Sequence, residues 1–122
     1  MASWTDEELS LIGGAHEVQI AGRREDGTLR SPVIIWVVRR GNSLYIRSVN
    51  GREAAWFRGT QVRHEGQILA GGVAKDVTFV EAAHDIDDEL DAAYRAKYGR
   101  SYGIDQIVAT PARGATLEIV PR

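Results

Sequence analysis

The chain has 122 residues, 43% hydrophobic and 26% charged, with no cysteine and a formal net charge of −2. A chain of this size can bury a real core without metals or cross-links, so one domain over residues 1–122 is expected. The missing cysteines exclude disulfides, thiolate metal ligands and a cysteine nucleophile, and no apolar run approaches the ~20 residues of a membrane-spanning helix.

The opening stretch MASWTDEELS is acidic and lacks the basic and apolar regions of a secretory signal, which makes the cytoplasm the expected compartment. Thr5 and Glu8 have capping-box spacing, Leu9 and Ile12 give an apolar edge, and Gly13-Gly14 ends the segment. A short helix over residues 5–12 follows, placed to close one end of a sheet or barrel. Val18 and Ile20 alternate with Glu17 and Gln19 in a first strand, and Asp26-Gly27 predicts a hairpin after it. Pro32 can begin a strand, and VIIWVV (33–38) is continuously apolar, as in a central strand covered on both faces. RRGNS (39–43) turns the chain into LYIRSV, where Leu44, Ile46 and Ser48 share one face and Tyr45, Arg47 and Val49 the other. Three sequential strands in a meander are the expectation.

Asn50 and Gly51 tolerate positive φ, and the segment from Arg52 to Arg58 then coils around Trp56 and Phe57. A strand, a turn with free N–H groups and a helix start flanked by arginine make an anion cradle, or else an ordinary connection. Two further strands, Gln67–Ala70 and Val73–Glu81, meet at Gly71-Gly72. Residues 85–99 carry Ile86, Leu90, Ala93, Tyr94 and Lys97 at helical spacing, with acids first, bases last and Gly99 as a C-cap. After a turn at Pro111–Gly114, Thr116–Val120 alternates as a last strand. About six strands with two or three helices indicate an α+β fold built on a small antiparallel β-barrel, closed or half-open.

The small net charge hides a segregation along the chain. Residues 23–63 hold nine arginines against Glu25, Asp26 and Glu53, a balance of +6, while each flank sums to −4. Arginine forks suit phosphate and carboxylate, so the middle predicts a bound anion, or else arginines that pair with the acidic helix near the C-terminus or lie solvated. An overall pI near 5.9 argues against nucleic acid as the partner. His16, His64 and His84 fall in no ligand spacing, and no metal site is expected. The acids Asp85, Asp87, Asp88, Glu89 and Asp91 are explained by the helix dipole, and Ser31, Ser43, Ser48 and Ser101 sit in no nucleophile elbow. No catalytic residue is singled out on these grounds. Trp36 is expected in the core, whereas Trp56 and Phe57 either pack beneath the barrel or wall a ligand slot. Tyr94, Tyr98 and Tyr102 are expected to pack with solvated hydroxyls, proton donation to a reduced substrate being the alternative.

The run LRSPVIIWVVRRGNSLYIRSVNGREAAWFRG, followed by AGGVAKDVTFVEA and DAAYRAKYG, resembles an uncharacterised bacterial family of short proteins, a domain of unknown function. That family is similar to the FMN-binding split-barrel superfamily, which includes pyridoxamine phosphate oxidases and deazaflavin-dependent nitroreductases. The nitroreductase resemblance covers roughly residues 28–81 and rests on Arg30, Pro32, Ser48, Asn50, Gly51 and Trp56. The loop here is shorter and carries only Arg52. The resemblance implies a split barrel in which Arg30 and the loop from Ser48 to Arg52 hold a cofactor phosphate, with the ring along the strand backbone and Trp56 nearby. The cofactor so implied is FMN or a deazaflavin, and the activity an oxidoreductase acting on a small organic molecule. The alternative is a non-catalytic split barrel that binds a small anionic molecule, or no cofactor at all. Apolar strand faces add the expectation of a homodimer.

Overall fold

Alternating strands and glycine turns build a single antiparallel sheet in the computed structural model, which describes residues 3–101 and 103–122. Its strands are β1 (Val18–Gly22), β2 (Val33–Ile35), β3 (Val38–Arg40), β4 (Ser43–Arg47), β5 (Glu65–Ala70), β6 (Val73–Glu81) and β7 (Thr116–Pro121). The helices are α1 (Asp6–Gly13), α2 (Ala55–Arg63), α3 (Asp87–Tyr98) and two four-residue pieces, α4 (Ile104–Ile107) and α5 (Thr110–Arg113). Short 3-10 turns at Gly51–Glu53 and His84–Ile86 lead into α2 and α3. Among the described residues no helix is long and apolar enough to cross a membrane.

The local signals act as their chemistry dictates. Thr5 Oγ1 accepts from Glu8 N at 3.1 Å while Glu8 Oε1 accepts from Thr5 N at 2.9 Å, so the capping box of α1 is complete. Gly71 and Gly72, at φ 54° and 82°, turn β5 into β6 with the paired positive angles of a tight hairpin. α1 then lays Leu9 and Ile12 into the barrel core beside Phe57, Ile68 and Phe79.

Two expectations are corrected by the sheet order β2-β1-β5-β6-β7-β4-β3. The run VIIWVV is not one central strand: it breaks at Trp36-Val37 into β2 and β3, which form the two opposite edges. Six spacings of about 4.8 Å would set the edges of a flat seven-stranded sheet about 29 Å apart. Three Cα steps, from Ile35 to Val38, reach at most about 11 Å. The sheet must therefore curl until its edges nearly meet, and the apolar run stitches the seam of a half-open barrel. Nor is the order a meander, because β1 pairs with both β2 and β5, and β4 with both β3 and β7. The count rises to seven strands for the same reason, and the segment at Pro111–Gly114 winds into α5 with its proline in the first turn.

The strand buried on both faces is β4. Leu44 and Ile46 enter the barrel core, while Tyr45 enters a second apolar cluster with Val38, Leu90, Tyr94 and Tyr98 beneath α3. Arg47 shares that second face and is itself buried. This layering fixes where the chain leaves β4, and so where the site forms.

Candidate functional site

Arg47 ends β4 under α3, and burial obliges its guanidinium to find acceptors. Nη1 donates to Asp91 Oδ1 at 2.5 Å and to Ile107 O at 3.1 Å, Nη2 to Asp87 O at 3.2 Å, and Nε to Thr116 Oγ1 at 3.1 Å. Its Cζ also lies 5.4 Å from the centre of the Tyr94 ring. Asp91 in turn faces Arg113 Nε at 3.1 Å, and Arg113 also pairs with Asp88. Arg47 thus clamps β4 to α3 and α4. The acids of α3 that the dipole alone seemed to explain are in part its partners, and Arg40 takes another, with Nε 2.5 Å from Glu89. A sequence signal for this existed: Asp87, Asp91, Tyr94 and Tyr98 follow one helical stripe, so two acids sit among buried rings.

Arg47 also borders a cleft of about 530 Å³, walled by Ile34, Trp36, Val49, Asn50, Trp56 and Gln106. Val49 and Asn50 come from the end of β4, Ile34 and Trp36 from the barrel seam, Trp56 from α2 and Gln106 from α4. The core assignment of Trp36 is corrected: it is half-buried at the cleft and stacks on Tyr98 at 4.1 Å and 4° between planes. The seam leaves it there, because the strand that would have buried it ends at Ile35. Its phenol partner is not solvated either. Tyr98 Oη donates to His16 O at 2.6 Å and accepts from Val37 N at 3.2 Å, and burial pushes the phenol up to about 12. Tyr94 is fully buried, burial raises its phenol well above the ordinary range, and its hydroxyl has no partner among the described residues. Tyr102 lies outside the described residues.

The six residues implied by resemblance are spread over four settings. Asn50 and Trp56 line the cleft. Gly51 makes the turn at φ 78°, where a Cβ would come within 3.4 Å of Pro111 Cβ, and Ser48 lies buried below it with an unpartnered Oγ. Arg52 turns away, donating from Nη1 to Glu81 Oε1 at 2.5 Å and to Gly114 O at 3.1 Å above the Phe57 ring. The hydrogen bond from Arg52 holds the Glu81 carboxyl below the usual carboxylate range. Arg30 stands on the far side of Trp56, in a basin of about 230 Å³ shared with Arg24, Ser31, Val33 and Ala55.

Several features make that basin electropositive. No side chain caps the start of α2, and its first residues, Ala55 and Trp56, line the basin. Arg30 lies across Gly59, where a Cβ would fall 2.7 Å from its Nε and 2.8 Å from its Cδ. Among the described residues no carboxylate lies within ion-pair distance of Arg30, whereas Arg23, Arg40, Arg47, Arg52 and Arg63 all have one. Trp56 walls both the basin and the cleft, so the two adjoin through one ring. Among the described residues no group of three or more histidine or acidic side chains is placed to hold a metal ion.

Comparison with solved structures shows the same fold elsewhere. The chain is similar to a protein from Listeria innocua provisionally assigned as a pyridoxamine 5'-phosphate oxidase, with TM-score 0.67 and 13% identity over 96% of this chain and 92% of that one. HutZ, the heme storage protein from Vibrio cholerae, also superposes with TM-score 0.67, at 13% identity over 88% of this chain and 82% of that one. An F420 reductase matches with TM-score 0.54 and 16% identity, over 98% of this chain and 94% of that one. At such identities these likenesses show the fold, an α+β split barrel. A comparison with curated proteins finds no match. The family resemblance is shown by the sequence itself: residues 8–119 match the model described as "Uncharacterized protein conserved in bacteria (DUF2255)", and the chain belongs to that family.

Proposed function

We propose that this chain binds a flavin-type cofactor, FMN or a deazaflavin, and acts as an oxidoreductase on a small organic molecule. The observation that carries the reading is the shared wall at Trp56, which joins a cleft of mixed apolar and polar lining to an arginine-lined basin. A flavin-type group is flat and apolar at one end and anionic at the other, and the cleft volume lies in the usual range of about 300–1,000 Å³ for cofactor sites. In this arrangement Arg30 and the uncapped start of α2 hold the anionic end, Trp36, Val49 and Trp56 flank the ring, and Asn50 offers it an amide. Gly51 fixes the turn, Ser48 supports it from below, and Arg52 joins the ligand only by releasing Glu81. When bound, such a cofactor supplies two-electron transfer to an organic acceptor. The described cleft lining includes no His, Cys, Met or Tyr to ligate heme iron, and this favours a flavin over heme.

The second reading, a non-catalytic barrel that holds a small anion in the Arg30 basin, draws support from the committed arginines at 47 and 52. Titration with FMN and with a deazaflavin, followed by ring absorbance, separates the two. A saturable spectral shift supports the redox reading; no shift, with inorganic phosphate still protecting against unfolding, supports the other. We also place a second copy against β2, β1 and β5, because exposed Ile34 and Leu69 flank Gln19 in register there. Sedimentation of Leu69→Glu against the unchanged chain tests it, and equal masses for both would remove the dimer.

A further inference from the structure

The chain holds two asparagines, Asn42 and Asn50, and only Asn50 precedes a glycine. Asn50 is exposed at the wall of the cleft, and its carboxamide caps nothing in the turn that follows. Because Gly51 has no side chain, its nitrogen approaches that carboxamide unhindered in a free peptide. Three observations set the folded loop apart. Gly51 N donates to Ser48 O at 3.0 Å, and Ser48 is itself buried and tied by its own N to Ala115 O at 3.1 Å. Asn50 has ψ 9°, so the Gly51 nitrogen eclipses Asn50 N, roughly a third of a turn about the Cα–C bond from Cβ. Gly51 is buried at φ 78° against Pro111.

We propose that Asn50 is a latent deamidation site, gated by opening of the turn from Ser48 to Gly51. The reaction needs the Gly51 nitrogen, stripped of its proton by base, to attack Asn50 Cγ. A new C–N bond forms, the Cγ–Nδ2 bond breaks, and ammonia departs to leave a five-membered succinimide. Water then opens the ring at either carbonyl, giving aspartate or its isoaspartyl isomer. One water is consumed, one ammonia is released, and nothing is oxidised or reduced. The ring is nearly flat, so its closure brings the Gly51 nitrogen into line with Cβ. Reaching that geometry rotates the peptide between Asn50 and Gly51, breaks the bond to Ser48 O and unseats Gly51 from Pro111. The carboxamide is open to water while the nucleophile is held, so the folded chain holds the reaction back and local opening releases it. Either product puts a carboxylate where the cleft now carries an amide.

The test needs no cofactor and compares the full chain with a free peptide of residues 46–54. Both are held in warm, mildly alkaline buffer, and mass spectrometry with separation of the isoaspartyl form follows Asn50. Conversion is expected to be at least about tenfold slower in the folded chain than in the peptide, the weight of about one net hydrogen bond at the turn. Hydrogen exchange should show the Gly51 amide protected by at least about tenfold as well. Concentrated urea should bring the full chain to the rate of the peptide in the same urea. Equal rates in the folded chain and the peptide, a Gly51 amide that exchanges freely, or a chain that stays slow when unfolded would each overturn the proposal. None of these outcomes bears on flavin binding.

Discussion

Arg47 and Arg30 come from the same basic segment and have opposite fates. Arg47 is buried, saturated with acceptors and paired with Asp91; Arg30 lies across a glycine beside an uncapped helix start, with no carboxylate in reach among the described residues. The difference teaches that a run of arginines is not itself a site. What decides is which guanidinium the fold leaves without a partner, and that depends on where α3 lands. The acids of α3 neutralise the clamp at the end of β4, and the basin at α2 keeps its positive field.

The largest expected effect is on the clamp. Arg47→Ala leaves Asp91 with Arg113 as its remaining cation and takes a donor from the carbonyls of Asp87 and Ile107, and should lower unfolding free energy in denaturant by about 3–5 kcal/mol. A loss below about 1 kcal/mol would mean that the pair does not hold β4 to α3. Arg30→Ala should do the reverse, leaving the denaturation midpoint nearly unchanged while weakening the flavin-type ligand about tenfold or more, since a charge-assisted bond contributes about 1.5–3 kcal/mol. Gly59→Ala sharpens the contrast, because the added methyl displaces Arg30 yet improves helix propensity. It should stabilise the chain by up to about 1 kcal/mol and still cost ligand affinity.

Smaller effects probe the polar atoms around the clamp. Tyr94→Phe removes a buried hydroxyl that has no partner among the described residues, and thermal melts should show unchanged or slightly raised stability, by at most about 1 kcal/mol. The smallest effect is the pH dependence of the exposed Arg52–Glu81 pair. Glu81 has a depressed carboxyl in the folded chain, so its contribution is present above the unfolded carboxylate range and is lost as pH falls through the folded value. Half-exposure limits the contribution to at most about 1 kcal/mol. Arg52→Gln should flatten the acid side of the stability profile by that amount, as followed by denaturant midpoints between neutral and acid pH.

Elements whose signals are local were legible before any coordinates. The capping box set α1, the glycine pair set the β5–β6 hairpin, and the charge gradient with its apolar stripe set α3. The seam was not legible, because VIIWVV contains neither glycine nor polar residue to mark the break, and continuous apolarity suits one covered strand as well as two strands bridging a barrel. The burial of both faces of β4 was hidden by its alternation, which imitates a solvent-facing side wherever a polar residue is paired inside. Of the site, Asn50 and Trp56 were read onto the loop and helix that now border the cleft. The commitment of Arg52 escaped, since Glu81 ends β6 and meets it only through the sheet order. Arg47 was legible in principle, from two aspartates on the tyrosine stripe of α3.

The most direct measurement is a paired absorbance titration of the unchanged chain and Arg30→Ala with FMN and with a deazaflavin. The account predicts a saturable ring shift with at least one cofactor, about tenfold weaker or more in the variant at an equal melting temperature. Equal affinity in the two proteins, or silence from both cofactors with the unchanged chain, would contradict it.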